Sequence, residues 1–147
     1  MPDTSAFFGR NPLVSAPVVT AAAAAVFWLG PFTRPYILKD LLVSVIAGTA
    51  AATGAITVAR QAQGASLVTL LTLGTVTPGA NDGRPARVSL VDATNNPGGG
   101  PFRIAGFATA NADPSLPASE QDSYMIKVSQ ATAGSATQII AADGNFV

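Results

Sequence analysis

The chain has 147 residues, the size of one ordinary domain; 48% are hydrophobic and only 11% charged, against about 25% in a usual soluble domain. Eight basic residues cancel eight acidic ones and lie scattered singly, so there is no basic stripe to neutralise a phosphate backbone, which argues against nucleic acid as a partner. Histidine and cysteine are absent, which removes the usual base near neutral pH, the thiolate nucleophile, the disulfide and the commonest soft metal ligands together.

Residues 1–17 (MPDTSAFFGRNPLVSAP) mix Pro, Ser and Gly with the adjacent aromatics Phe7 and Phe8, and read as an extended N-terminal arm preceding a single domain over 18–147. An isolated domain offers Phe7 and Phe8 no assured core position. They and Arg10 are therefore the expected interface residues, and removing residues 1–11 is expected to spare the fold while weakening attachment to a partner. Residues 18–29 (VVTAAAAAVFWL) are read as a strand ended by Gly30 and Pro31, although the alanine run 21–25 is equally a helix former. Trp28, flanked by Phe27 and Leu29, is expected to be a core anchor.

In residues 36–46 (YILKDLLVSVI), Leu41, Val43 and Val45 fall on one face and Asp40, Leu42 and Ser44 on the other, the period of a strand. A small-residue connection (48–54) leads to 55–60 (AITVAR), with Ile56 and Val58 inward and Thr57 outward, and then to 66–76 (SLVTLLTLGTV). Beyond the loop signals at 77–85 come strands at 87–92, with Val88 and Leu90 paired across Ser89, and at 102–107, with Phe102 and Ile104 on one face. Residues 95–101 (NNPGGGP) and 111–119 are loops, 124–128 (YMIKV) is a strand, and Ile139, Ile140, Phe146 and Val147 make one last short pairing or a docked tail. Lys and Glu are nearly missing, while Val, Thr, Gly and Pro abound. Seven to nine short strands with a turn about every ten residues predict an all-β fold, an antiparallel β-sandwich or barrel.

Two charge-free stretches, 11–33 and 41–59, approach the roughly 20 residues of a spanning helix, but Pro12, Pro17, Pro31, Gly48 and Gly54 and the low Leu, Ile and Phe content argue against membrane insertion. A small membrane-associated protein with two apolar segments stays open as an alternative. A secretory leader fits poorly, since Asp3 sits where a basic leader is needed.

No catalytic constellation is legible. Gly98, Gly99 and Gly100 are followed by Pro101 rather than Lys-Ser/Thr, so they do not make a phosphate loop. Lys39 and Lys127, the only bases a serine nucleophile could use, have no Ser-x-x-Lys spacing. Asp82, Asp92, Asp113, Glu120 and Asp122 lie in or beside loops without the spacing of a calcium site, and paired-acid hydrolysis has no more support than their scatter. The expectation is a protein that is not an enzyme and holds no cofactor or metal. Carbohydrate binding is the second reading, weakened because Trp28, Tyr36 and Tyr124 all fall in predicted strands rather than loops.

From residue 30 to residue 130, GPFTRPYILKDLLVSV, then GAITVA, RVSLVD and SLPASEQDSYMIKVS follow in an order that resembles the jelly-roll modules of tailed-bacteriophage virions. The resemblance implies a jelly-roll-like sandwich that serves as a capsid cement or decoration protein, or as the base of a head or tail spike. It implies a homotrimer bound to a major capsid protein on the capsid surface, reaching its neighbours through N-terminal arms.

Overall fold

The computed structural model describes residues 11–19, 24–48, 55–62, 64–78, 84–104, 123–131 and 136–147. They form ten antiparallel strands and no helix: β1 (Leu13–Val14), β2 (Val18–Val19), β3 (Ala25–Phe32), β4 (Tyr36–Gly48), β5 (Ile56–Ala62), β6 (Val68–Leu73), β7 (Ala86–Val88), β8 (Phe102–Ile104), β9 (Tyr124–Gln130) and β10 (Ala136–Phe146). Sheet A runs β1–β10–β4–β7, with β2 also on β10 and β8 also on β4; sheet B runs β3–β9–β5–β6. The expected antiparallel β-sandwich is the fold.

Alternation builds both inner faces. Phe27, Leu29, Ile56, Val58, Leu71, Leu73, Ile126 and Val128 of sheet B meet Tyr36, Leu38, Leu41, Val43, Val88, Ile104 and Ile140 of sheet A in one buried core. Each large side chain there contributes about 1.5–3 kcal/mol by the area it removes from water. The faces expected for Leu41, Val43, Val45, Ile56, Val58, Val88 and Leu90 are the observed ones.

Strand β4 keeps its core face over thirteen residues by bulging twice. Leu38 and Leu41 are both buried, yet three residues apart, an odd step that would put one of them outside. The strand takes up the extra residue at Lys39: Leu38 pairs with Gly144 and Asp40 with Asp143, leaving Lys39 unmatched. Ile46 is the unmatched residue of the second bulge, between Val45 and Ala47.

Four expectations need correction. Residues 18–29 are two strands in different sheets, β2 and β3, and β3 runs through Gly30 and Pro31 to Phe32 with a register irregularity rather than ending there; residues 20–23, with three of the five alanines of the run, lie outside the described residues. Trp28 is no core anchor: with Phe27 and Leu29 buried, alternation turns it outward, 42% exposed. The strand expected at 87–92 is only β7, because Asp92 enters a turn bridged to Asn96. The short pairing at Ile139 and Ile140 is an eleven-residue strand at the centre of sheet A.

Of the arm expected over 1–17, residues 1–10 lie outside the described residues and 11–17 run along β10. Asn11 alone makes three bonds: its N–H donates to the Gly144 carbonyl (2.6 Å), its Oδ1 accepts from the Phe146 amide (3.1 Å), and its carbonyl accepts from the Tyr36 hydroxyl (2.9 Å). A truncation meant to spare the fold must therefore stop before Asn11. Pro17, which has no N–H to give to the ladder, separates β1 from β2. Ser15 fills the gap; its amide donates to the Ile140 carbonyl and its hydroxyl accepts from the Ile140 amide.

Candidate functional site

Two regions carry chemistry beyond holding the fold together: the outer face of sheet A, and a notch in that sheet's edge. The core register fixes the outer face. Val14, Ala141, Leu42 and Arg87 form one row across four strands, Ile139 lies beside Ser44, and Val19, Thr137 and Ala47 form a further row. Val14 is 63% exposed, Val19 79% and Ile46 44%. Half of this face is therefore apolar and open. Past Leu42 it turns charged, with Asp40 opposite Asp143 and Arg103 opposite Ile37; Arg87 forms an ion pair with Asp40 across the boundary.

The notch lies where the β4 edge loses its neighbour. β7 pairs with residues 41–43 and β8 with residues 36–38, so on this edge Lys39 and Asp40, at the bulge, have no strand beside them among the described residues. Residues 89–101 connect β7 to β8 there, beside an opening of about 290 Å3 lined by Lys39, Arg87, Val88, Ser89, Leu90 and Gly99.

Asp92 fixes that loop. Its carboxylate accepts from the Thr72 amide (2.7 Å) in β6 of the opposite sheet and from the Thr94 (2.8 Å) and Asn95 (3.0 Å) amides of its own turn. The Thr72 bond, then those of Asn95 and Thr94, hold its carboxyl below the usual carboxylate range against the opposing pull of burial. Asn96 completes the turn, donating through Nδ2 to the Leu90 (2.8 Å) and Gly100 (2.9 Å) carbonyls. Of the acids considered for catalysis, Asp92 has this structural role, and Asp82, Asp113, Glu120 and Asp122 lie outside the described residues.

The depressed pKa sets a pH dependence. A carboxyl whose folded pKa is lowered stabilises the fold above its unfolded value of about 4, and that contribution is lost as the pH falls through the folded value. Asp92→Asn is expected to melt below the wild type at neutral pH, with the gap closing as the pH drops below about 4. A gap that stays constant down to acid pH would rule out a role for the Asp92 charge.

Sheet B offers less reactive surface. Trp28 packs across from Lys127, whose Nζ lies 5.6 Å from the ring centroid, a cation–π contact that occupies part of the indole. A groove of about 500 Å3 nearby is lined by Pro31, Gln61, Ala62, Gly64, Ser123, Tyr124 and Met125. Its polar groups are engaged: Gln61 Nε2 donates to the Ala65 carbonyl (3.2 Å) and the Tyr124 hydroxyl to the Arg34 carbonyl (2.6 Å). Burial pushes the Tyr124 hydroxyl up to about 12, with Arg60 pulling it back in part, so it does not ionise near neutral pH. Among the described residues no cluster of three or more acidic side chains could gather a metal ion. Lys39 and Ser89 both line the notch, with no hydrogen bond between them.

The interface residues expected from sequence, Phe7, Phe8 and Arg10, lie outside the described residues. Sequence reading missed the apolar outer face of sheet A. Its signal was Leu42, Ile46, Ile139 and Ala141 at strand positions that alternation assigns to the outside. Comparison with known proteins finds no family model, no curated protein and no solved structure that matches this chain.

Proposed function

We propose that this chain is a non-enzymatic structural protein of a viral particle, which cements or decorates the capsid by packing against copies of itself and neighbouring capsid subunits. The observation that carries it is the apolar half of the sheet A outer face, with Val14, Val19, Leu42, Ile46, Ile139 and Ala141 on a chain that has only 11% charged residues. Removing the exposed part of such a side chain from water contributes about 1 kcal/mol each, and a patch of this kind marks an interaction surface.

Strand order adds support for the jelly-roll part of the proposal. Counting β1 with β2 and β7 with β8 as broken edge strands leaves eight, ordered 1-8-3-6 in one sheet and 2-7-4-5 in the other. A long antiparallel hairpin that pairs 1 with 8, 2 with 7, 3 with 6 and 4 with 5, then rolls up, has this order. Such double-sheet rolls build viral capsid domains and also lectins.

The lectin use keeps the carbohydrate-binding reading as the alternative, and exposed Trp28 is the observation in its favour. The test replaces Val19 and Ile46 together by lysine, two exposed positions where substitution is expected to change folding stability by less than about 0.5 kcal/mol each. The wild type is expected to associate at micromolar concentration and the variant to associate at least tenfold more weakly with an unchanged melting temperature. A wild type that is monomeric throughout, and that binds a glycan array in a Trp28-dependent way, would overturn the structural reading in favour of sugar binding.

A further inference from the structure

We propose that the notch in the β4 edge is a binding site for an oxyanion, a carboxylate or a phosphate or sulfate group presented from outside the domain. Four observations converge on it. The bulge places Lys39 in the gap on this β4 edge between the stretches paired with β8 and β7, and Lys39 makes no ion pair among the described residues. Arg87 contributes a second cation, held beside the rim as the ion-pair partner of Asp40. Among the described residues no acidic side chain lines the opening, Asp40 lying beside it in its pair with Arg87, and the other wall carries Ser89. The loop that forms this wall is held from both sides, by Asp92 to Thr72 and by Asn96 to Leu90 and Gly100, so its polar groups are in place before a ligand arrives.

Gly99 shapes the rim. Its φ of +67° is the left-handed conformation that suits glycine, and a Cβ there would stand 2.6 Å from Val91 Cγ2. The opening thus has room for one tetrahedral or planar oxyanion together with part of the group that bears it, met by an ammonium, a guanidinium and a hydroxyl.

A simpler use for Lys39 exists, since a charged bulge on an open edge keeps the edge from pairing with another sheet. That use needs neither Arg87 nor a fixed loop, and it predicts no saturable binding. The experiment follows the amide spectrum of the full chain during titration with inorganic phosphate and, separately, with acetate, against sodium chloride at matched ionic strength. The expected result is saturable shifts at Lys39, Arg87, Ser89, Leu90 and Gly99, with a dissociation constant on the order of 1 mM for at least one of the two anions. Phosphate alone would assign a phosphate- or sulfate-bearing ligand, and acetate alone a carboxylate of a protein or acidic sugar; either supports the site. Lys39→Gln should weaken binding about tenfold, while Lys127→Gln on the opposite sheet leaves it unchanged. Shifts that never saturate, or that survive equally in Lys39→Gln and Arg87→Gln, would overturn the proposal. Self-association of the Val19→Lys, Ile46→Lys variant is read independently, so failure of one proposal does not decide the other.

Discussion

Replacing Gly144 with alanine is expected to cost the sandwich about 3 kcal/mol or more, the largest loss foreseen for any single methyl group in this protein. Gly144 sits in the middle of sheet A, buried, opposite Leu38 and next to the bulge that Lys39 makes in β4. A Cβ at this position would run into the Ile37 carbonyl oxygen and meet Cζ of the Tyr36 ring at 3.0 Å. The obstacle is backbone of the central strand, so no rotamer change relieves it. The Tyr36 ring has no room to withdraw either. It is fully buried, packs edge-on against Phe146 with centroids 5.0 Å apart, and is tethered by its hydroxyl to the Asn11 carbonyl. Denaturant unfolding measures the loss, and Gly74→Ala is the control. No atom lies within 4 Å of a Cβ built on Gly74, so there alanine should be neutral or stabilise by up to about 1 kcal/mol through the unfolded chain. Equal midpoints for the two variants would mean that β4 yields to the methyl group.

The second large effect runs the other way. Gln130 and Gln138 are 0% and 1% exposed on the inner faces of β9 and β10, where the register demands apolar side chains. Both polar atoms of the Gln130 amide, and the Gln138 oxygen, find no hydrogen-bond partner among the described residues. A buried amide left unsatisfied costs about 1–3 kcal/mol, and an apolar residue of similar shape removes that cost. Gln130→Met preserves length and flexibility and is expected to raise stability by about 1–3 kcal/mol. Unfolding midpoints of the wild type, Gln130→Met and Gln130→Ala decide the matter. Methionine above the wild type with alanine below both is the expected order; methionine falling below the wild type would mean that the amide is satisfied in solution and stabilises this end of the core.

Where one face was apolar and the other polar, the sequence was readable. Leu41 to Val45, Ile56 to Val58 and Tyr124 to Val128 alternate cleanly, and their strands and buried faces are as expected. β10 was read too short because its residues do not advertise a strand: ATQIIAADGNF contains Ala, Asp, Gly and Asn, which tertiary pairing with β4 overrides. Trp28 was misplaced for a different reason. Flanking by Phe27 and Leu29 was taken as a sign of burial, whereas in a strand two buried neighbours turn the middle residue outward. The notch had a legible trace in the odd step from Leu38 to Leu41. What no single-sequence pattern could supply was that β7 and β8, separated by the loop at 89–101, would share one edge of β4 and leave Lys39 between them.

The nesting of the strands, with 1 on 8 outermost and 4 on 5 innermost, also gives assembly of the fold a direction in time. The inner hairpin, in which Ile56 meets Leu73, closes a short loop, whereas bringing Leu13 to Ala142 from an open chain costs about 2 kcal/mol more in loop entropy. Zipping outward from the inner hairpin spreads that cost, because every pair already formed shortens the loop left for the next. Such non-local pairing is slow, in the range of milliseconds to seconds, and the edge of β10 that β1 and β2 finally cover is among the last backbone to be protected. For that interval the nascent protein carries an open strand edge beside an apolar face, so a crowded solution selects between correct closure and pairing with a second chain.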